Sequence, residues 1–345
     1  MKDRIYGMLR RAGAFYLMRR LFRHKLMILC YHGISLDDEH EWWPGVFMTE
    51  DRFRGRLKLL KDHGYRVLGL GDALNRLSEG SLPANSIVIT ADDGYLNSPE
   101  TLVECCQEFG YPLTIYVTSY YAEKQTPIFN VMVQYLFWKT DRSSLKGDLS
   151  AIGLPGVDHI DLEDSVEKQR WCERIINYGR ANCDENGRQN ILKALCAKLE
   201  LNYGGMVTAG MFRLMGQKQL QMIADKGVDV QLHTHRHVFP VDKDQANREI
   251  SENREFLEPI AGKSLEHFCY PSGKWDPAQL PWLNKMSIRS ATTCNLGFVS
   301  EGDDYLTLRR YLDKQTISDN EFLAEISGFL AFARQIRGKV RSIWN

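Results

Sequence analysis

The sequence predicts an α/β fold built on a mostly parallel sheet, either open or closed into a barrel. Two observations carry that expectation. Short apolar runs bounded by turn residues alternate in regular order with amphipathic helical stretches. The 345 residues, 43% hydrophobic and 26% charged, can also bury the core of one barrel-sized domain. That composition excludes a disordered, collagen-like or coiled-coil chain.

The strand-like runs are 26–31, 66–68, 87–90, 113–117, 228–232, 268–270 and 288–291. Between them lie helical patterns at 51–63, 98–109, 218–226, 245–260 and 277–285. Residues 121–210 break the rhythm. Within them 128–138 and 166–199 read as helices, and a connection of that length in an α/β domain is expected to be a helical insertion that shapes the substrate side. The expected organisation is a basic amphipathic segment at 1–25, a barrel at 26–315 carrying the 121–210 insertion, and a C-terminal helix at 316–345.

Forty-four basic residues balance forty-four acidic ones, which argues against nucleic acid as a partner. The balance is uneven along the chain. Residues 1–25 hold eight Lys or Arg and one acid, and the last dozen add Arg334, Arg337, Lys339 and Arg341 with no acid. Met8, Leu9, Ala12, Phe15, Tyr16 and Leu17 form an apolar stripe flanked by Arg10, Arg11, Arg19 and Arg20, with a similar mixture at 329–344. Such segments either cap a core or lie on an anionic membrane surface, where each basic residue adds about 1 kcal/mol. None of the eight cysteines forms a Cys-x-x-Cys pair. With no export signal or membrane-spanning run read from the sequence, the expected location is cytoplasmic, with peripheral contact at the inner face of the membrane.

Polar residues collect just past four strand ends. The 87–90 run leads into Asp92-Asp93-Gly94, and two adjacent carboxylates are costly unless a cation or a proton separates their roles. The 228–232 run leads into His233-Thr234-His235-Arg236-His237. In an extended chain His233 and His237 would lie ~13 Å apart, too far for one metal ion. In a helical turn they would face the same way at about 5–6 Å, which suits two ligands of one zinc. His235 would then point away. The 268–270 run ends in Pro271-Ser272-Gly273, where backbone N–H groups can face a pocket, and the 26–31 run ends in His32-Gly33. Gathering at one edge of the sheet is the arrangement of metal-dependent barrel hydrolases.

These segments resemble the polysaccharide deacetylases (carbohydrate esterase family four). Thr90-Ala91-Asp92-Asp93-Gly94 is similar to their T-F-D-D-G motif, and 233–237 to their H-[ST]-x-x-H motif. The 268–273 segment resembles the third, pocket-wall motif and Leu308-Arg309-Arg310 the late L-x-R element. The resemblance implies a distorted (β/α)7 barrel, one divalent metal ion with zinc the first choice, and hydrolysis of N-acetyl or similar acyl groups on sugars. It implies Asp93, His233 and His237 as ligands, Asp92 as general base and Arg310 as its orienting partner. No histidine follows His267, so the catalytic acid is assigned to His32, in a context like that of family members with permuted motif order. Tyr270, Ser272 and Trp275 are the expected substrate contacts. The expected partner is a saccharide, polymeric or lipid-linked. A deacylase of a small non-saccharide amide and a non-catalytic carbohydrate-binding barrel are the alternative functions.

Overall fold

In the computed structural model, residues 2–344 are described, with side chains as far as residue 337. The strands of the main sheet are β1 (Met27–Tyr31), β2 (Arg66–Val67), β3 (Ser86–Ala91), β4 (Thr114–Val117), β5 (Asp229–Leu232), β6 (His267–Cys269), β7 (Ser290–Leu296) and β8 (Leu308–Leu312). Seven of them close a parallel ring in the order β1, β3, β4, β5, β6, β7, β8, with β8 returning to β1 at Leu29↔Tyr311 and Cys30↔Leu312. The fold is therefore a (β/α)7 barrel. The ring is uneven: β5 and β6 share one registered pair, Phe268↔Leu232, and the β7–β8 register slips between Thr292↔Leu308 and Leu296↔Arg310.

Side chains alternate across a strand, so each strand feeds two cores. Leu29, Ile87, Ile89 and Ile115 point outward and pack beneath the surrounding helices. Ile28, Val88, Tyr116, Cys269 and Leu308 fill the interior, where they meet Leu70, Leu74 and Leu77 of the Leu70–Ser78 helix. Strands buried on both faces must be nearly continuous apolar runs, which is why most were visible in the sequence. The same alternation carries the inward rows upward into polar residues: Ile28, Cys30 and His32 on β1, and Val88, Thr90 and Asp92 on β3.

The structure corrects the expected strand set. The 66–68 run yields only β2, half-buried to exposed, which pairs with the lower end of β3 and stays outside the ring. The seventh ring strand is β8, whose Arg309 and Arg310 hide its strand character: Arg309 is exposed, whereas Arg310 is wholly buried against a carboxylate. The expected 166–199 helix is also two helices, Ser165–Asn182 and Glu185–Leu199. Asp184 caps the second by accepting from the Gly187 amide at 2.8 Å, and that cap outcompetes continuation of the first helix.

Between β4 and β5 the chain forms a set of helices and a small antiparallel pair, Ser144–Lys146 with His159–Asp161. The Phe129–Lys139, Ser165–Asn182 and Glu185–Leu199 helices bury Met132, Leu136, Ile175 and Leu192 between them. At the N-terminus Gly13, with φ 78°, breaks the basic segment into Lys2–Arg11 and Ala14–Leu21. Phe15 packs on Phe329 at 5.4 Å, joining the two chain ends.

One buried ion pair ties the last strand to the flank. Arg56 holds Asp313 at 2.7 and 3.3 Å, donates to the Ile317 carbonyl at 2.6 Å and stacks 4.5 Å from the Phe322 ring. Replacing Arg56 by Met should leave Asp313 buried without a cation and lower the unfolding free energy by roughly 3–5 kcal/mol in denaturant titrations. A loss below about 1 kcal/mol would contradict this role.

Candidate metal centre and active site

β3 ends by splitting its two aspartates. Asp92 continues the inward alternation, and its amide still donates to the Tyr31 carbonyl at 2.9 Å. Asp93 then adopts φ 71°, a left-handed conformation that Asp tolerates, and turns its carboxylate toward the mouth. Gly94 follows with φ 86°; a Cβ there would sit 3.1 Å from Val117. The Asp-Asp-Gly order thus places one carboxylate inside the barrel and one at its rim.

Asp92 is 3% exposed, and Arg310 grips both of its oxygens at 2.8 Å. Burial disfavours its charge, yet the guanidinium outweighs burial and holds the carboxyl well below the usual carboxylate range. Arg310 is itself fixed by the Thr293 carbonyl at 2.9 Å and by Thr90 Oγ1 at 3.3 Å. Around Oδ2 of Asp92 stand Cys269 Sγ at 3.4 Å, Cys30 Sγ at 3.5 Å and His32 Nε2 at 3.8 Å.

The histidines follow β5, but not in the helical turn that the spacing suggested. Residues 233–237 form an irregular bend in which Thr234 and His237 have φ of 63° and 58°. Thr234 Oγ1 accepts the Val238 amide at 3.2 Å and closes the bend. The outcome for the rings is the same: His233 and His237 lie 4.9 Å apart, while His235 turns away to Ser119 Oγ at 2.9 Å. His233 is fixed twice. Its Nδ1 faces the Cys269 carbonyl at 2.7 Å, which makes Nδ1 the donor and leaves Nε2 free as a ligand. Its amide donates to Asn253 Oδ1 at 2.9 Å.

Asp93 Oδ1 lies 3.4 Å from His233 Nε2 and 3.3 Å from His237 Nε2. Four ligands at about 2.0–2.1 Å around a tetrahedral ion are about 3.3 Å from one another. The two separations meet that value, and the donor set leaves a position open, as hydrolytic zinc sites do. Burial opposes the Asp93 charge, but the adjoining His233 and His237 pull its carboxyl down to about 2. Among the described residues two other groups, Cys30/His32/Asp92 and Asp92/His233/Cys269, also bring possible ligand atoms together. Both depend on Asp92, whose charge Arg310 already neutralises.

His32, Asp92, Asp93, His233, His237 and Ser272 line one cavity of about 850 Å³. The insertion supplies further lining, including Tyr121, Phe129, Arg180 and Arg188, next to Tyr120. Ser272 reaches the wall because Pro271-Ser272-Gly273 turns sharply, with φ of 56° at Ser272 and 66° at Gly273, where a Cβ would lie 2.5 Å from Cys294.

Two expected substrate contacts are corrected. Tyr270 is wholly buried, with its hydroxyl on the Leu306 carbonyl at 3.0 Å, because it continues the outward face of β6 into the shell core. Trp275 is half-buried against that core and does not line the cavity; Trp43 does. Sequence reasoning missed Asn253 and the two arginines of the insertion, which lie in helices with no local signal. Cys30 was legible, since alternation on β1 places it on the row of His32.

Fold and site together define a parallel α/β barrel that gathers two carboxylates and three imidazoles at one mouth. The family model for polysaccharide deacetylase matches residues 186–291, a span that holds both ligand-type histidines and begins after the aspartate pair. No curated protein matches the chain. Among solved structures, the Streptococcus pyogenes deacetylase PplD in complex with acetate is 17% identical with a TM-score of 0.56, the match covering 88% of this chain and 98% of that one. IcaB from Ammonifex degensii is 15% identical with a TM-score of 0.55, over 88% and 97%. A de-N-acetylase from Aggregatibacter actinomycetemcomitans is 13% identical with a TM-score of 0.54, over 86% and 98%. These likenesses are of fold. The family match is confined to residues 186–291, under a third of the chain, and the rest of the likeness is one of architecture.

The Asp92–Arg310 pair gives a pH-dependent expectation. A carboxyl depressed in the folded state contributes stability above its unfolded value of about 3.9, and that contribution is lost as pH falls toward the folded value. In Arg310→Met burial, the largest influence on Asp92, raises its pKa and is opposed only by the weaker pull of His32 and His233. Chemical denaturation in the presence of chelator should therefore show the variant's deficit greatest near neutrality and shrinking on acidification toward pH 5. A pH-independent deficit would contradict the pairing.

Proposed function

We propose that this protein is a metal-dependent amidase that removes an N-acetyl or similar acyl group from an amino sugar of a polysaccharide or lipid-linked saccharide. The observation that best supports this is the tetrahedral ligand spacing of Asp93, His233 and His237 beside a separately clamped carboxylate. In this reading those three residues hold one divalent ion, zinc by the nature of the donors. When bound, the ion supplies polarisation of the acyl carbonyl and a water of lowered pKa.

Asp92 takes up the proton of the attacking water at a carboxylate oxygen. Arg310 keeps that carboxylate ionised and fixes its plane, so the base is aimed before substrate arrives. His32 Nε2 stands 3.8 Å from Asp92 Oδ2 on the same cavity, and it delivers a proton to the departing amine. The Ser272 backbone amide, at the cavity wall, donates to the oxygen that gains charge.

The location belongs to the same reading. On the two N-terminal helices Met8, Tyr16, Leu17 and Leu21 are 60–62% exposed among arginines. An apolar, basic surface of this kind fits an anionic leaflet and would bring the barrel to lipid-linked saccharides at the inner face of the membrane. Of the C-terminal segment, the side chains of Lys339, Arg341 and Trp344 lie outside the described residues.

Asp92→Asn should retain stoichiometric zinc and lose about 10²–10⁴-fold in turnover of an N-acetylated oligosaccharide, measured as acetate release. His233→Ala and His237→Ala should instead lose the metal, measured by elemental analysis after dialysis. Near-normal turnover in Asp92→Asn, or full zinc in both histidine variants, would refute the assignments. Sedimentation with anionic liposomes should carry the protein down at low salt and release it at high salt; protein that stays in the supernatant at low salt would leave the terminal helices as caps.

A further inference from the structure

The cavity is larger and more positive than an N-acyl sugar requires. At about 850 Å³ it lies toward the upper end of the range of about 300–1,000 Å³ for small-molecule sites. Its lining acids are Asp92 and Asp93. Arg310 neutralises the first, and the histidine cluster takes the second. Three arginines also line it, Arg180, Arg188 and Arg236. Arg236 is occupied, with Nη1 on Glu249 at 2.9 Å and on Glu252 at 2.6 Å.

The other two come from the insertion and are neighbours in space. Arg180 stands in the last turn of the Ser165–Asn182 helix and Arg188 in the first turn of Glu185–Leu199, with the chain folding back at Cys183-Asp184. Arg188 Nε reaches the carbonyl of Gly179, the residue beside Arg180, at 3.1 Å. Its Nη1 is a long 3.5 Å from Glu185 Oε2, an oxygen that also accepts from the Tyr120 hydroxyl at 3.3 Å, while Thr126 and Gln189 donate to Oε1 at 2.7 and 2.8 Å. Arg180 is exposed and has no hydrogen-bond or ion-pair partner among the described residues. Both guanidinium groups border the same cavity, where a bound oxyanion would compensate their charge. The planar fork of each matches phosphate or carboxylate geometry.

We propose that Arg180 and Arg188 form a subsite for an oxyanion, a phosphate or carboxylate carried by the saccharide next to its N-acyl group. The proposal rests on the deacetylase reading of the same cavity. It gives the 121–210 insertion a role in specificity, selecting charged saccharides over neutral ones, while the barrel carries the chemistry.

The test compares three probes, methyl N-acetylglucosaminide, N-acetylglucosamine 1-phosphate and N-acetylmuramic acid. Affinity is measured by calorimetry on chelated full-length protein, and acetate release on the zinc-loaded protein. At low salt at least one charged probe should bind about tenfold or more tighter than the neutral one. Arg180→Gln, and Arg180→Gln with Arg188→Gln, should reduce that ratio to below about twofold. Arg188 also braces the Gly179 carbonyl, so if the double variant melts early, Arg180→Gln alone decides. A preference for the phosphate probe or for the carboxylate probe names the source of the oxyanion. Equal affinity for charged and neutral probes with turnover intact overturns the subsite and leaves the deacetylase reading standing. Charge-dependent binding without turnover of any probe does the reverse.

Discussion

The two-bond grip of Arg310 on Asp92 is the interaction that organises the site. A carboxylate this deep in the barrel would take up a proton unless a cation met it. The guanidinium that does so arrives from β8, on the other side of β1 from β3, so the charge pair also crosses the seam where the ring closes. The slipped register of β7 against β8 sets the Thr293 carbonyl where it can hold the guanidinium. Barrel closure across β1 and the ionisation of Asp92 thus meet in one contact.

Division of labour between the two aspartates follows from backbone conformation. Without the left-handed φ at Asp93, consecutive strand residues would point to opposite faces, and the second carboxylate would enter the shell core. With it, both serve one cavity at different depths, one held by arginine and one by histidines. The irregular bend after β5 repeats the device: Thr234 and His237 in left-handed conformations bring two imidazoles together where a strand would have separated them.

Much of this was legible in the sequence, because strand ends and polar clusters are local signals. Asp92-Asp93-Gly94 and the histidine segment each follow an apolar run, and alternation projects His32 and Asp92 inward. What was not legible depended on tertiary context. β8 was unrecognised as a ring strand because a buried arginine looks like a surface residue until its partner is known. The turn type after β5 depends on Thr234 Oγ1 and its amide partner, which spacing cannot show. Tyr270 sits in a motif segment, and only the register of β6 reveals that it faces the shell core. Arg180 and Arg188 are brought to the mouth by a helix break that Asp184 creates.

Zinc-edge X-ray absorption of the full chain, loaded with one equivalent of zinc, reads the proposed ligand set atom by atom. Coordination by Asp93, His233 and His237 predicts only nitrogen and oxygen neighbours at about 2.0–2.1 Å, two of them with the outer-shell scattering of imidazole. A sulfur neighbour at about 2.3 Å would place the ion on Cys30 or Cys269 and contradict that assignment.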